Sequence, residues 1–430
     1  MAAIPAHASY KSNTSQTHNL LERGTEYLRD NAGRIRLTDF FLFFLLIFGS
    51  YIPGTTIYFT IPVLGCIALL AFMRKPVYNV GEYKKIFVLL ALFMVYLVIV
   101  SMIQPHSAEA FDWTRRVMRM AFTTLIIYFV ADGRIHIRSA ILGYSAALFV
   151  NVFAWFAGVG ADNYTGFLTG FIGDKNGSGM AYAIFGILIL LAVRNRYETI
   201  AAIVFSYWAL WLTGSRTSLG AYTAAVLWIL IAPKLNIWLR IAYGFLTYFV
   251  LNILTQDYAQ TGAFADRTGT DILRSRIDEA SLEKAADTGF FGRGLGEAVT
   301  TFAGDTHRWV FHNSYVGAFV EGGWPWLIVL IGITVFVIVG ILRPKGQLSR
   351  TEVIIQAAGI SLAVCSWRLG EVLYTWQWCL VLGIAIRALI ISRDIHLAGK
   401  DIKGKDIDLD ADIEVKTATR SVREAKNANV

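Results

Sequence analysis

The chain has 430 residues, of which 55% are hydrophobic, 14% are aromatic and only 16% are charged, and its formal net charge is +8. Soluble domains carry about 25% charged residues, whereas the mean hydropathy of this chain is +0.51. This composition excludes a disordered chain, a disulfide-rich scaffold and an ordinary soluble enzyme, and it predicts an integral membrane protein.

Residues 1–36 are polar and predict a cytoplasmic N-terminal tail. Twelve mostly apolar runs follow, and a bilayer crossing needs a helix of about 20 such residues. The runs lie at about 37–52, 56–73, 86–103, 117–131, 139–158, 178–193, 198–213, 217–232, 236–254, 324–342, 352–369 and 371–391. They predict an all-α integral membrane protein with transmembrane helices 1–9 in 37–254 and helices 10–12 in 324–393.

The basic residues between the runs predict the orientation. With a cytoplasmic N-terminus, the cytoplasmic segments hold about two thirds of the 39 lysines and arginines, as the positive-inside rule requires. An even number of crossings then puts both termini in the cytoplasm. Because this bias explains most of the net positive charge and no nucleic-acid-binding motif is present, we expect membrane lipids as partners and no nucleic acid.

One long polar segment, 255–323, interrupts the apolar runs and lies on the external face in this topology. Residues Ile272 to Ala286 carry apolar side chains among charges and predict a helix. The glycine-rich stretch Phe290–Gly296 superficially resembles a dinucleotide fingerprint, but no parallel strand precedes it, so we reject that interpretation. Loops of this length are uncommon unless they are functional, which predicts the active site here. Residues 394–430 mix both charges and predict a flexible cytoplasmic tail.

Several motifs around this loop resemble the O-antigen ligase and polymerase family. They are an arginine-containing helix, Gly292-Arg-Gly-Leu-Gly296, His312-Asn-Ser-Tyr315 with a downstream Glu321-Gly322, and Gly214-Ser-Arg216 at the external end of the seventh run. Twelve spans with one large external loop before the last three are also similar to that family. The family's arginine helix usually carries a tryptophan, which the stretch Leu273–Ile277 lacks, so the choice between Arg274 and Arg276 stays open.

The resemblance implies a glycosyltransferase of GT-C-like architecture in a bacterial cytoplasmic (inner) membrane. Its members transfer a glycan from undecaprenyl pyrophosphate to a sugar hydroxyl at the external face, in lipopolysaccharide or surface polysaccharide assembly. A ligase uses lipid A–core as its acceptor, whereas a polymerase joins repeat units of O-antigen or exopolysaccharide. The motifs favour a ligase slightly, and other polysaccharide assembly proteins are expected partners.

The chemistry of that transfer assigns roles to individual side chains. A departing pyrophosphate needs fixed positive charge, which arginine supplies with forked donors; we expect Arg216 and Arg276 to bind it. Weaker candidates for the same role are Arg274, Arg293 and Lys175. An imidazole can take the proton of the acceptor hydroxyl, so we expect His312 to be the general base of an inverting transfer. No acidic cluster accompanies these residues in the sequence, so we expect no metal and no cofactor.

Each role has a plainer alternative. His312 would be an ordinary histidine at the membrane–water interface, beside Trp309 and Tyr315. Arg216 would only extend its side chain from the helix end to that interface, without binding a substrate. The loop arginines 274 and 276 would pair with neighbouring carboxylates or remain solvated. Arg115, Arg116 and Arg119 lie on the external side against the positive-inside rule. Either they bind lipid phosphate or the donor, or the fourth span begins later than residue 117, and the sequence does not choose between these alternatives.

Two other classes of protein remain open. A secondary transporter or flippase would also explain twelve spans, but such proteins usually carry ionisable or broken-helix sites near the midplane. A receptor or assembly scaffold would not require basic residues gathered at one membrane face.

Overall fold

The computed structural model describes residues 35–50, 52, 55, 57–160, 164, 166–256, 268–304, 307–342, 348–397 and 407–410. This part of the chain is mostly helical, which confirms the predicted all-α class. Its thirteen α-helices are α1 (Leu37–Leu45), α2 (Thr60–Phe72), α3 (Lys84–Ile103), α4 (Trp113–Ala131), α5 (Ile137–Phe156), α6 (Lys175–Leu188), α7 (Arg196–Thr213), α8 (Arg216–Ile231), α9 (Ile237–Gln256), α10 (Thr268–Ala286), α11 (Ser314–Gly332), α12 (Arg350–Arg368) and α13 (Trp376–Leu397). Residues 1–34 of the predicted tail at 1–36 lie outside the described residues.

The apolar runs of the sequence account for twelve of these helices, one in each run, and α10 is the helix expected in the long polar segment. Among the described residues, three helical segments are long and apolar enough to cross a membrane: Gly81–Ile103, Ile137–Phe156 and Ser314–Ile338. Shorter apolar helices are Thr60–Phe72, Lys175–Leu191 and Ile237–Ile253. These helices support the membrane association that the composition predicts.

The connections between helices gather at two ends of the bundle. At the end that carries His312, three hydrogen bonds join segments far apart in sequence: Phe111 to Gly296, Leu168 to Leu212, and Ser314 to Leu369. At the end that carries Asp410, the corresponding hydrogen bonds join Val77 to Asp132, Tyr78 to Leu409, and Arg350 to Leu190. We call these the His312 end and the Asp410 end.

The glycine-rich stretch Phe290–Gly296 fills a break in α11. The helix leaves helical geometry at Gly323, with φ 65° and ψ −167°, a backbone region essentially restricted to glycine. The carbonyl groups freed near the break accept hydrogen bonds from the backbone of Arg293 and Gly294, and the backbone of Trp324 donates to Phe290. The helix thus begins at Ser314, inside the segment 255–323 predicted as a loop, and is interrupted at Gly323.

A two-stranded antiparallel hairpin separates this stretch from α11. Its strands are β1 (Val299–Thr300) and β2 (Trp309–Val310), and Val299 pairs with Val310. Asn313 then caps α11, because its side chain accepts hydrogen bonds from two backbone N–H groups of the first turn. His312 thus lies between a strand and a helix cap, both of which fix its backbone.

Part of the predicted flexible tail is packed against the bundle. The structure differs from the sequence expectation because α13 continues to Leu397 and residues 407–410 lie at the Asp410 end. The fully buried Arg387 guanidinium pairs with Asp410 at 2.7 Å. The Asp410 carboxylate also accepts two backbone hydrogen bonds at the N-terminus of α5, where negative charge is favourable. This short segment therefore fastens α13 to α5.

Candidate functional site

His312 lies half-buried, with 25% of its side chain exposed, and faces a carboxylate of α10. Its Nδ1 atom is 3.9 Å from the Oδ1 atom of Asp278, which is longer than a hydrogen bond. Nδ1 is buried and makes no hydrogen bond. If substrate binding moved the two side chains closer by about 1 Å, the two atoms would come within hydrogen-bond range.

The surroundings of His312 favour its neutral form. Burial, and secondly the positive charge of Arg274, lower the pKa of His312 to about 4. Burial also raises the pKa of Asp278, while Arg274 and Arg368 oppose that rise. Since the imidazole is neutral at physiological pH, it can accept a proton.

Arg274 and Arg368 lie beside this pair of residues. A guanidinium N–H of Arg274 donates to the backbone carbonyl of Arg368, the last residue of α12. We call His312, Asp278, Arg274 and Arg368 the His312 cluster. With His312 neutral and Asp278 ionised, its formal charge is positive.

The other loop arginines proposed from the sequence have different surroundings. The guanidinium carbon of Arg276 lies 4.5 Å from the ring centre of Phe302. Arg293 donates to the hydroxyl of Thr288 and to the carbonyl of Asp287, and thereby braces the turn before the glycine-rich stretch. Of the two arginines that the sequence could not separate, Arg274 is the one that the structure brings to His312.

Arg216 and Lys175 lie at the His312 end on two neighbouring helices. Arg216 is the first residue of α8, and Lys175 is the first residue of α6, where its amine lies 4.9 Å from the ring centre of Tyr164. The two helix starts are close, because a Cβ added at Gly179 would be 2.6 Å from the Cβ of Ser215. The structure therefore gathers both residues at the same end as His312, on different helices from the His312 cluster.

A second charged group, whose carboxylates the sequence analysis did not connect with its arginines, surrounds Arg116 near the start of α4. Arg116 forms ion pairs with Glu321 at 2.8 Å and with Glu371. Arg119, one turn later, lies 3.6 Å from Glu371. The only signal in the sequence was the presence of arginines against the positive-inside rule. Their partners follow more than 200 residues later, so the sequence could not pair them.

These side chains line a small cavity next to His312. Its volume is about 40 Å³, and its lining includes Arg116, Arg119, Glu371 and Asn313. The hydroxyl of Ser314 donates to the carbonyl of Leu369 and accepts from the backbone N–H of Val372, which holds the 369–375 loop against the start of α11. The segment 310–314 thus contributes both His312 and part of the cavity lining.

A third group of charges fixes the loop before α4 to α10. The buried Glu297 accepts hydrogen bonds from the backbone and hydroxyl of Ser107 and pairs with Lys284 at 3.0 Å. Although burial alone would raise the pKa of Glu297, these hydrogen bonds and the lysine charge lower it. Lys284 also donates to the backbone carbonyl of Val299, so this group positions the loops around the cavity.

Within the described ranges, no group of three or more His, Cys, Asp and Glu side chains could hold a metal ion. The His312 end presents an imidazole, guanidinium groups and carboxylates. No protein-family model matches this chain, and no curated protein matches it either.

Proposed function

We propose that this chain is a membrane-embedded inverting glycosyltransferase of the O-antigen ligase type. It moves a glycan from undecaprenyl pyrophosphate to a sugar hydroxyl of lipid A–core at the external face of a bacterial inner membrane. The proposal includes twelve membrane crossings, a GT-C-like architecture, cytoplasmic termini and an external His312 end. The observation that carries it is the neutral, half-buried His312 beside Asp278 and two arginines.

The imidazole supplies the general base. Asp278 favours the tautomer with its proton on Nδ1, which leaves Nε2 as the proton acceptor. The acceptor hydroxyl loses its proton to Nε2 as its oxygen attacks the anomeric carbon, and the bond to pyrophosphate breaks on the opposite side. A single displacement of this kind inverts the anomeric configuration.

The arginines supply the charge that the leaving pyrophosphate needs. Arg274 is the leading ligand because it lies beside His312, and Arg368 adjoins it. Arg216 and Lys175 supply further positive charge at the same end of the bundle. Arg276 and Arg293 are weaker ligands, because the first packs on Phe302 and the second braces a turn. Fixed guanidinium charge stabilises the transition state without a metal ion.

The direct test is transfer by the purified protein in lipid nanodiscs. The donor is an undecaprenyl-pyrophosphate-linked glycan, and the acceptor is either lipid A–core or a second donor molecule. Glycosylated lipid A–core supports the ligase. Elongation of the donor glycan without lipid A–core supports a polymerase instead, and donor movement across vesicles without any transfer supports a flippase.

The proposed orientation has its own test. Cys66 is the exposed native cysteine, so the background variant is Cys66→Ala, in which the buried Cys365 and Cys379 remain. Exposed positions at the two ends are Ala303 and His396. A membrane-impermeant maleimide should label Ala303→Cys in intact spheroplasts, in which only the external face of the inner membrane is accessible. It should label His396→Cys only after the spheroplasts are lysed. Labelling of both positions from one side would contradict the proposed topology.

A further inference from the structure

The cavity beside His312 has a different charge balance from the His312 cluster. Arg116 and Arg119 contribute two positive charges, and Glu321 and Glu371 contribute two negative charges. The cavity lining is therefore formally neutral, whereas the His312 cluster carries net positive charge. A pyrophosphate is better stabilised by the positive group, which leaves the neutral cavity for another part of the substrates.

The cavity has a rigid floor and an accessible rim. Arg116 and Glu321 form the floor; Glu321 is buried and its carboxylate also accepts from the backbone N–H of Gly296 at 3.0 Å. At the rim, the side chains of Arg119 and Glu371 keep 36% and 33% of their surface exposed. The rim groups are thus pre-positioned by buried partners and remain within reach of a ligand.

The backbone of the 369–375 loop supports the same conclusion. Glu371 and Tyr374 have φ values of 52° and 62°, in the left-handed region that non-glycine residues rarely adopt. Such conformations persist where the surrounding structure holds them, and they cluster at ligand sites. Here the Ser314 hydroxyl binds the loop, and the Tyr374 hydroxyl is hydrogen-bonded to Thr124 at 2.5 Å.

The lining chemistry selects a neutral, hydroxyl-bearing ligand. A carboxylate at the rim accepts hydrogen bonds from hydroxyl groups, and the adjacent guanidinium donates to hydroxyl or ring oxygens. An anion would meet Glu371, and a cation would meet Arg119. A cavity of about 40 Å³ has room for roughly two or three water-sized groups. Trp326 and Tyr374, whose ring centres are 5.3 Å apart, line its apolar side.

We propose that this cavity binds hydroxyl groups of the acceptor sugar, with Glu371 accepting and Arg119 donating hydrogen bonds. The inference rests on the proposed function and adds a division of labour: the His312 cluster holds the donor pyrophosphate, and the Arg116 group holds the acceptor. Phe311 and Asn313, the neighbours of His312 in the sequence, both line the cavity, so the acceptor site and the proposed base share one short stretch of backbone.

The kinetic test compares Glu371→Gln with Glu283→Gln, which changes an exposed carboxylate of α10. We expect Glu371→Gln to raise the acceptor KM roughly ten- to a hundredfold, the loss expected for a hydrogen bond to a charged group. Donor affinity, measured by equilibrium binding, should change less than twofold in both variants. An unchanged acceptor KM, or an equal loss of donor affinity, would overturn the assignment.

A second variant covers the case in which Glu371→Gln does not fold because Arg116 loses a partner. Arg119→Gln changes the exposed rim and leaves the ion pair between Arg116 and Glu371 in place. It should also raise the acceptor KM, with the thermal unfolding midpoint within a few degrees of that of the unaltered protein. Normal folding with an unchanged KM would overturn the proposal.

A binding measurement separates this inference from the proposed function. Saturation-transfer NMR with the oligosaccharide released from lipid A–core requires no turnover. Binding by the unaltered protein and its loss in Glu371→Gln would support the cavity even if no transfer occurs, in which case the proposed function fails alone. Transfer with no effect of either variant on acceptor KM or oligosaccharide binding would leave the proposed function in place and refute the acceptor site.

Discussion

The Nδ1 atom of His312 lies 3.9 Å from the Oδ1 atom of Asp278, and Arg274 lies beside both residues. A carboxylate in this position can fix the tautomer of the ring, and the arginine disfavours its protonation. Burial and the arginine therefore keep the ring neutral, and Asp278 fixes its tautomer once the 3.9 Å gap between the two side chains closes. In the proposed reaction, these properties keep the base available without competition from bulk protons.

The first prediction concerns the pH dependence of transfer. Burial and Arg274 lower the pKa of His312 to about 4, so the neutral base persists well below the ordinary value of about 6.5. We expect kcat/KM to stay nearly constant from pH 7 to about 5 and to fall as the pH drops through about 4. Arg274→Gln should move the midpoint upward, since it removes a positive charge. A midpoint near 6.5 in the unaltered protein would contradict this environment for His312.

The same shift has a consequence for stability. Because the pKa of His312 is lower in the folded than in the unfolded protein, the unfolded chain binds more protons between about pH 4 and 6.5. The contribution of His312 to the free energy of unfolding should therefore decrease as the pH falls through this window. Thermal unfolding of the unaltered protein and of His312→Gln checks the sign, since the variant should lose less stability between pH 7 and pH 5.

The second prediction concerns Asp278. Asp278→Asn keeps the shape of the side chain but removes the charge beside the ring. Transfer should fall roughly 10- to 100-fold, less than the 10²–10⁴-fold loss typical of removing a general base, because the imidazole itself remains. Donor binding should not weaken, since a negative charge near the arginines is lost. Glu279→Gln, the exposed neighbour on α10, is the matched control and should be active. Equal activity of both variants would remove Asp278 from the mechanism.

The third prediction tests the fit between the glycine-rich stretch and α11. A Cβ at Gly323 would lie 2.0 Å from the carbonyl oxygen of Phe290, at a backbone conformation that only glycine adopts readily. Gly323→Ala should lower the free energy of unfolding by about 1–3 kcal/mol or more and expose the 287–298 loop to protease. The control is Gly332→Ala on the same helix, where an added Cβ meets no atom within 4 Å. Equal stability of the two variants would show that the loop does not require this fit.

The fourth prediction concerns the docked segment at the Asp410 end. Asp410→Asn leaves the fully buried Arg387 without its ionic partner, and breaking a buried pair costs about 3–5 kcal/mol. Asp394→Asn breaks the exposed pair with Arg393 and should cost at most about 1 kcal/mol. Thermal unfolding in detergent compares the two variants. A similar small effect of both would mean that residues 407–410 do not hold α13 in place.

Local patterns predicted the helices, because a long apolar run is a property of neighbouring residues. Each of the twelve runs contains a helix, and the amphipathic stretch after Ile272 does as well. The ion pairs of Arg116 and Arg387 could not be predicted, since Glu371 and Asp410 come close only through packing. The same applies to the packed residues 407–410, which carry too few apolar side chains to stand out within a charged tail.

The candidate site was predictable in its residue types but not in its arrangement. The motif identified His312, and the charge pattern identified the loop arginines. Arg274 and Arg276 are two residues apart on one helix, so they point in different directions. Only the packing of α10 against α11 and β1 brings Arg274 to the imidazole. The glycine-rich stretch packs into the break of α11 at Gly323. No local pattern in residues 290–296 reveals that packing, because the break lies in a different part of the sequence.

The most direct test of the central claim measures transfer rate and donor affinity on the same purified His312→Ala protein. The account predicts a loss of about 10²–10⁴-fold in transfer, the range for removal of a general base. Donor affinity should be unchanged, because Arg274 and Arg216 remain. An equal loss of donor affinity and transfer would make His312 a phosphate ligand, and full retention of transfer would make it an interfacial histidine; either result would contradict the account.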